Sequence, residues 1–162
     1  MPSNAKQQKT DLIKEQNIDD LGRIIASEAR GLNETAQAMV GWTVINRMKA
    51  ANIERVSEVW AHGNYAHDHF PTATSLRIAE GILGDTAMDI SQGATHFYTP
   101  AIMPKAGEPH AGVDVGGGLE TVHGVTKNGR PIQNYRRRWA INQPAVHVPG
   151  VQDKDFKFFR VH

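Results

Sequence analysis

A glutamate occupies a position on a helical pattern where an apolar residue is expected. The apolar stripe runs Leu21, Ile24, Ile25, Glu28 and Ala29, the i, i+3, i+4, i+7, i+8 spacing of one helix face. Glu28 is therefore expected to face the core or a cleft bordering it. Gly31 follows closely and reads as the glycine that ends the helix, placing the carboxylate near the negative end of the helix dipole. Burial and that dipole both disfavour the charged form and raise the pKa. A carboxylic acid kept protonated toward neutral pH is what a general acid requires. The alternative for a last-turn glutamate is a salt bridge to Arg23 or Arg30, or a side chain that snorkels from the edge of the stripe to water.

The chain has 162 residues, 40% of them hydrophobic and 22% charged, which suits one globular domain with a real core. A net charge of +1 gives no general attraction for nucleic acid. The run Arg136-Arg137-Arg138 reads as a solvated basic turn or a local contact for an anionic polymer. The absence of cysteine excludes disulfides, thiolate catalysis and cysteine-ligated zinc. No segment reads as a membrane-spanning helix, and the first 17 residues lack the apolar centre of a signal peptide. The expectation is synthesis in the cytosol without membrane insertion.

Positioning Glu28 falls to the following elements. Residues 1–10 are expected as a loose polar arm, and 11–162 as a single domain. A first helix is expected from Asp11 or Asp19 to Ala29, with Asn17 and Gly22 weakening a continuous reading. Asn33 is a good N-cap for a second helix carrying Ala36, Met39, Val40, Thr43, Val44 and Arg47 on one face. A short helix over Val56 to Ala61, a loop to Pro71 and a helix ending at Gly84 follow. Beyond Gly93, glycine and proline multiply. Ala94 to Thr99 reads as a strand, Asn128-Gly129 as a hairpin turn and Phe156 to Val161 as a closing strand. The fold class is thus α+β, a mainly helical N-terminal half followed by a loop-rich half with a short antiparallel sheet.

Several ordered pieces resemble the SleB family of spore-cortex and cell-wall hydrolases. They are Leu21 through Gly31, including Ser27-Glu28-Ala29-Arg30-Gly31; Val40-Gly41-Trp42-Thr43-Val44-Ile45-Asn46-Arg47; Ala79 through Asp85; and Asp89 through Pro100. The likeness spans about residues 19 to 104, with echoes at Trp139 and Phe158-Phe159-Arg160. A Gln-Phe pair common in that family is replaced here by Asn64-Tyr65 and nearby histidines.

The resemblance implies a small lysozyme-like domain that cleaves peptidoglycan between N-acetylmuramic acid and N-acetylglucosamine. It implies a lytic transglycosylase in which Glu28 is acid and then base, without a cofactor. It also implies that the strand bearing Thr95, His96 and Tyr98 lines a cleft facing the glutamate. Thr95 is then a candidate for bonding an N-acetyl group, and Tyr98 and Trp139 for stacking on sugar; ordinary packing is the alternative for each. Alternation puts Thr95 and Phe97 on one side and His96 and Tyr98 on the other. Asn46 and Arg47 are expected to brace the Glu28 loop rather than react.

An ordinary hydrolase needs a second carboxylate; Asp68, Asp85 and Asp89 are available, the last two reading as turn or cap residues. Eight histidines, among them the His67-Asp68-His69 cluster and His110, admit a zinc amidase or peptidase, although the spacing is not His-Glu-x-x-His. A non-catalytic wall-binding or phage structural module is a third reading. With peptidoglycan as the partner, a phage lysis enzyme, an injected toxin with an immunity protein and delivery apparatus, or a domain of a larger polypeptide are all compatible.

Overall fold

The computed structural model describes residues 4–63, 65–84, 86–109 and 112–161; Asn64, Asp85 and His110, named above, lie outside these residues. The chain divides into two compact units, residues 1–93 and 94–162. The boundary coincides with the compositional change at Gly93, and the architecture is α+β.

The first unit holds α1 (Asn4–Ala29), α2 (Glu34–Ala51), α3 (Val56–Gly63) and α4 (Ala73–Leu83). The expected apolar stripe is buried: Leu21, Ile24, Ile25 and Ala29 are almost wholly inaccessible. α1 begins at Asn4, well ahead of Asp11, so residues 4–10, expected as a loose arm, form its exposed first turns. Nothing but good helix formers such as Ala5, Lys6, Gln7 and Gln8 is needed to extend a helix nucleated elsewhere.

Asn17 and Gly22 do not interrupt α1, because both meet specific neighbours. The Asn17 amide donates to the Glu54 carbonyl at 2.9 Å and accepts from the Val56 amide at 3.0 Å, tying α1 to the start of α3. Gly22 lies where Leu76 of α4 packs, and a Cβ there would stand 3.0 Å from the leucine Cδ2. Gly31 has φ +87° with open space around it, so glycine is required by backbone conformation at the helix exit rather than by crowding.

Both long helices that follow α1 open on side-chain caps, of which the sequence suggested the first. The Asn33 side chain accepts from the Ala36 amide at 2.9 Å and opens α2. Thr72 and Ser75 form a reciprocal capping box at α4.

The second unit holds β1 (His96–Tyr98), β2 (Leu119–Lys127), β3 (Arg130–Tyr135), β4 (Ala145–Val146) and β5 (Lys157–Phe159). An antiparallel sheet has the order β1-β5-β4, and β2 pairs with β3 as a separate antiparallel hairpin. Asn128 and Gly129, with φ of +55° and +77°, form the two-residue turn, the conformation that Asn-Gly favours. Tyr98, Met103, Ala140 and Phe159 pack together as one buried core cluster of this unit. No helix among the described residues is long and apolar enough to cross a membrane.

Candidate active site

Glu28 projects from the last turn of α1 and is half-buried. Its Oε1 accepts a 2.7 Å hydrogen bond from the backbone N–H of Ala66. Burial pushes its pKa up, the negative charge of Asp68 adds to the rise, and the Ala66 N–H partly opposes it by favouring the carboxylate. The net direction is upward, as the general-acid reading requires.

The segment after α3 is fastened along α1. The Ser27 hydroxyl donates to the Arg23 carbonyl at 2.8 Å and accepts from the His69 amide at 3.0 Å. Arg23 lies under the exposed Phe70 ring, 5.2 Å from its centroid, and Pro71 reaches Gly22. Residues 66–71 therefore run beside the last two turns of α1 toward its N-terminus, with Glu28 held at one end of the contact.

Behind this segment Tyr65 is buried, its hydroxyl 3.0 Å from the Thr43 hydroxyl on α2. Arg47 covers the Tyr65 ring at 4.9 Å and donates through Nη1 to the Gly63 carbonyl at 3.2 Å. Arg47 thus touches the residues that lead into Ala66. Asn46 reaches elsewhere: its amide donates to Asp89 and to Ser91, both at 3.1 Å, while Asp89 also accepts from the Ser91 amide at 2.8 Å. Asp89 is thereby committed to a turn, and Asn46 fixes that turn.

His67 stacks on Trp60, ring centroids 4.4 Å apart and planes within 1°, and its Nδ1 lies 3.0 Å from the Tyr65 carbonyl. Among the described residues, no group of three or more His, Asp or Glu could hold a metal ion.

Thr95, His96, Tyr98 and Trp139 come together in the second unit. The Thr95 hydroxyl accepts from the Val161 amide at 3.0 Å and meets His96 Nδ1 at 2.9 Å. The His96 and Tyr98 rings both lie against Trp139, at 5.0 and 5.8 Å, whereas Phe97 turns to Phe156 at 5.2 Å, as strand alternation requires. Tyr98 is buried, stacks on Phe159 and donates its hydroxyl to Glu120. Burial first, and then Glu120, push the Tyr98 phenol above its usual range.

Two carboxyls escaped the reading of the sequence. Asp20 is 8% exposed and lies eight residues before Glu28, so it belongs to the same stripe; burial and Asp19 raise its pKa, against the influence of Arg23 and His67. Glu120, its side chain 9% exposed, also accepts from Lys157 at 2.7 Å. Its alternation with the buried Val122 was the available signal.

Comparison with family models, with curated proteins and with solved structures finds no match.

Proposed function

We propose that this chain is a lysozyme-like enzyme of the SleB type that cleaves the glycan strands of peptidoglycan as a lytic transglycosylase. The observation that carries the reading is Glu28: a carboxyl on a mainly apolar helix face, held by the Ala66 N–H, with its pKa raised by burial. The ordered likeness of residues 19 to 104 to that family supplies the substrate.

In this reading protonated Glu28 gives its proton to the glycosidic oxygen as the bond to C1 of N-acetylmuramic acid breaks. The carboxylate then takes the proton of that sugar's 6-hydroxyl, whose oxygen closes on C1 to give a 1,6-anhydro end. Glu28 finishes protonated, so a single carboxyl serves both steps. Arg47, through Tyr65 and Gly63, supports the segment that supplies the Ala66 N–H. Thr95, His96 and Trp139 are proposed as glycan contacts of the second unit, whereas Tyr98, buried against Phe159 and bonded to Glu120, packs behind them rather than touching sugar.

The alternative outcome is hydrolysis, in which a second carboxylate across the sugar activates water; Asp68, whose charge helps raise the Glu28 pKa, is the candidate for that role.

Digestion of purified sacculi, with mass spectrometry of the released muropeptides, tests both. Wild-type protein is expected to release anhydro-ended products, and Glu28→Gln to lose activity by about 10²- to 10⁴-fold, the usual contribution of general acid–base catalysis. Undiminished release by Glu28→Gln overturns the proposal. Reducing ends in place of anhydro ends select the hydrolytic form.

A further inference from the structure

The second unit contains a recess of about 550 Å³ lined by Gly112, Val113, Asp114, Val115, Gly116, Tyr135 and Arg138, within the size range of small-ligand sites. Its base is anchored, because Val113 and Val115 pack against the core of that unit. Its wall is a glycine-rich strap seated on the arginine run. The Gly117 amide donates to the Arg136 carbonyl at 3.2 Å, and the Arg136 amide donates back to Gly118 at 2.7 Å. The Arg136 Nε also donates to the Gly117 carbonyl at 2.8 Å.

The fit tolerates no side chain. A Cβ on Gly116 would lie 2.4 Å from Arg138 Nε, and one on Gly117 would lie 2.4 Å from the Arg137 carbonyl. Arg138 is oriented further by Asp114, whose Oδ1 accepts from its Nε at 3.0 Å and from the Gly116 amide at 3.4 Å. The side of the guanidinium bearing Nε is thus committed, while its terminal Nη edge carries no hydrogen bond to the described residues. A planar pair of donors held beside valine methyls and a tyrosine ring matches a carboxylate attached to small aliphatic groups.

We propose that this recess binds a short peptide of small aliphatic residues ending in a free carboxylate, with Arg138 receiving the carboxylate and Val113 and Val115 the side chains. The sequence offered Arg136-Arg137-Arg138 as a solvated basic turn or a contact for an anionic polymer; the recess is lined by one of the three, Arg138. Naming the stem peptide of peptidoglycan as the source rests on the proposed function above, whereas the chemistry of the recess does not.

The test is a backbone-amide chemical-shift titration of the intact chain with acetyl-D-alanyl-D-alanine, its C-terminal amide, and chitotriose. The free acid is expected to shift residues 112–116, 135 and 138 saturably. The amide should bind at least about tenfold more weakly, the scale of one lost charge-assisted pair. Arg138→Gln should weaken the acid by a similar factor. Equal binding of acid and amide, shifts from chitotriose alone, or absence of saturable shifts each overturns the proposal. The acid–amide comparison uses wild-type protein, so misfolding of a variant leaves the test intact. Glu28→Gln should titrate like wild type: peptide binding without glycan cleavage by wild type counts against the Glu28 reading alone, and cleavage without peptide binding counts against the recess alone.

Discussion

At the scale of single residues, chemistry and stability pull against each other at two carboxyls of α1. Glu28 and Asp20 both have pKa values raised by burial, so the folded state binds their protons more tightly than the unfolded chain does. The folded state is therefore favoured below the ordinary carboxylate pKa, and it loses that advantage as pH rises through the elevated folded value. Asp20→Asn, which cannot ionise, should raise the melting temperature at pH 7 and flatten its change between pH 4 and 7; a lower melting temperature at pH 7 would show that the charged form is stabilised. Catalysis by protonated Glu28 should fail on the alkaline side of its raised pKa. Asp68→Asn removes a charge that contributes to that rise, so in the transglycosylase reading the alkaline limb of the pH–rate profile should move to lower pH. Because Asp68 is exposed, the displacement should shrink as salt is added. Glu28 was legible in the sequence because one charged residue interrupts an apolar spacing. Asp20 stands on the same spacing, and only its burial distinguishes it from the exposed Asp19.

Among the elements, the order that matters is the fastening of residues 65–71 to α1 and α2. Tyr65 is buried and its hydroxyl meets Thr43, itself inaccessible. Thr43→Val keeps the shape and removes the hydroxyl that Tyr65 meets, at a cost of about 0.5–1.5 kcal/mol for the lost hydrogen bond. Chemical denaturation should show this as a lower midpoint at unchanged slope. If the segment positions the Ala66 N–H, glycan cleavage should fall in the same variant at temperatures where it remains folded. Asn46→Ala should destabilise by about 1–2 kcal/mol through lost hydrogen bonds to Asp89 and Ser91, with no comparable effect on the alkaline limb of the rate profile. The helices themselves were readable from their caps and apolar periods. The extent of α1 was not, because residues 4–10 bury nothing and their helicity follows from continuing an established helix. Strand β4 is two residues long, too short for alternation to declare itself.

Across the whole molecule, the change in composition at Gly93 falls at the boundary between two compact units. Of the histidines that suggested zinc, His67 lies on Trp60 and His96 beside Thr95 and Trp139. Chelator treatment is accordingly expected to leave glycan cleavage unchanged, as measured by muropeptide release before and after exhaustive dialysis; restoration of a lost activity by zinc would favour the metalloenzyme reading. By itself the sequence determined the face α1 buries, the N-cap of α2, the end of α4 at Gly84, the Asn-Gly hairpin and the place of Glu28 on an apolar stripe. These are written in spacings of a few residues, where backbone geometry and side-chain type are enough. Only the tertiary structure decided that Glu28 meets Ala66, 38 residues away, that Asp89 answers Asn46 across 43 residues, and that Glu120 joins Tyr98 to Lys157. Periodicity states which side chains leave water. The partner that each buried polar group finds depends on which distant segments the packing brings beside it.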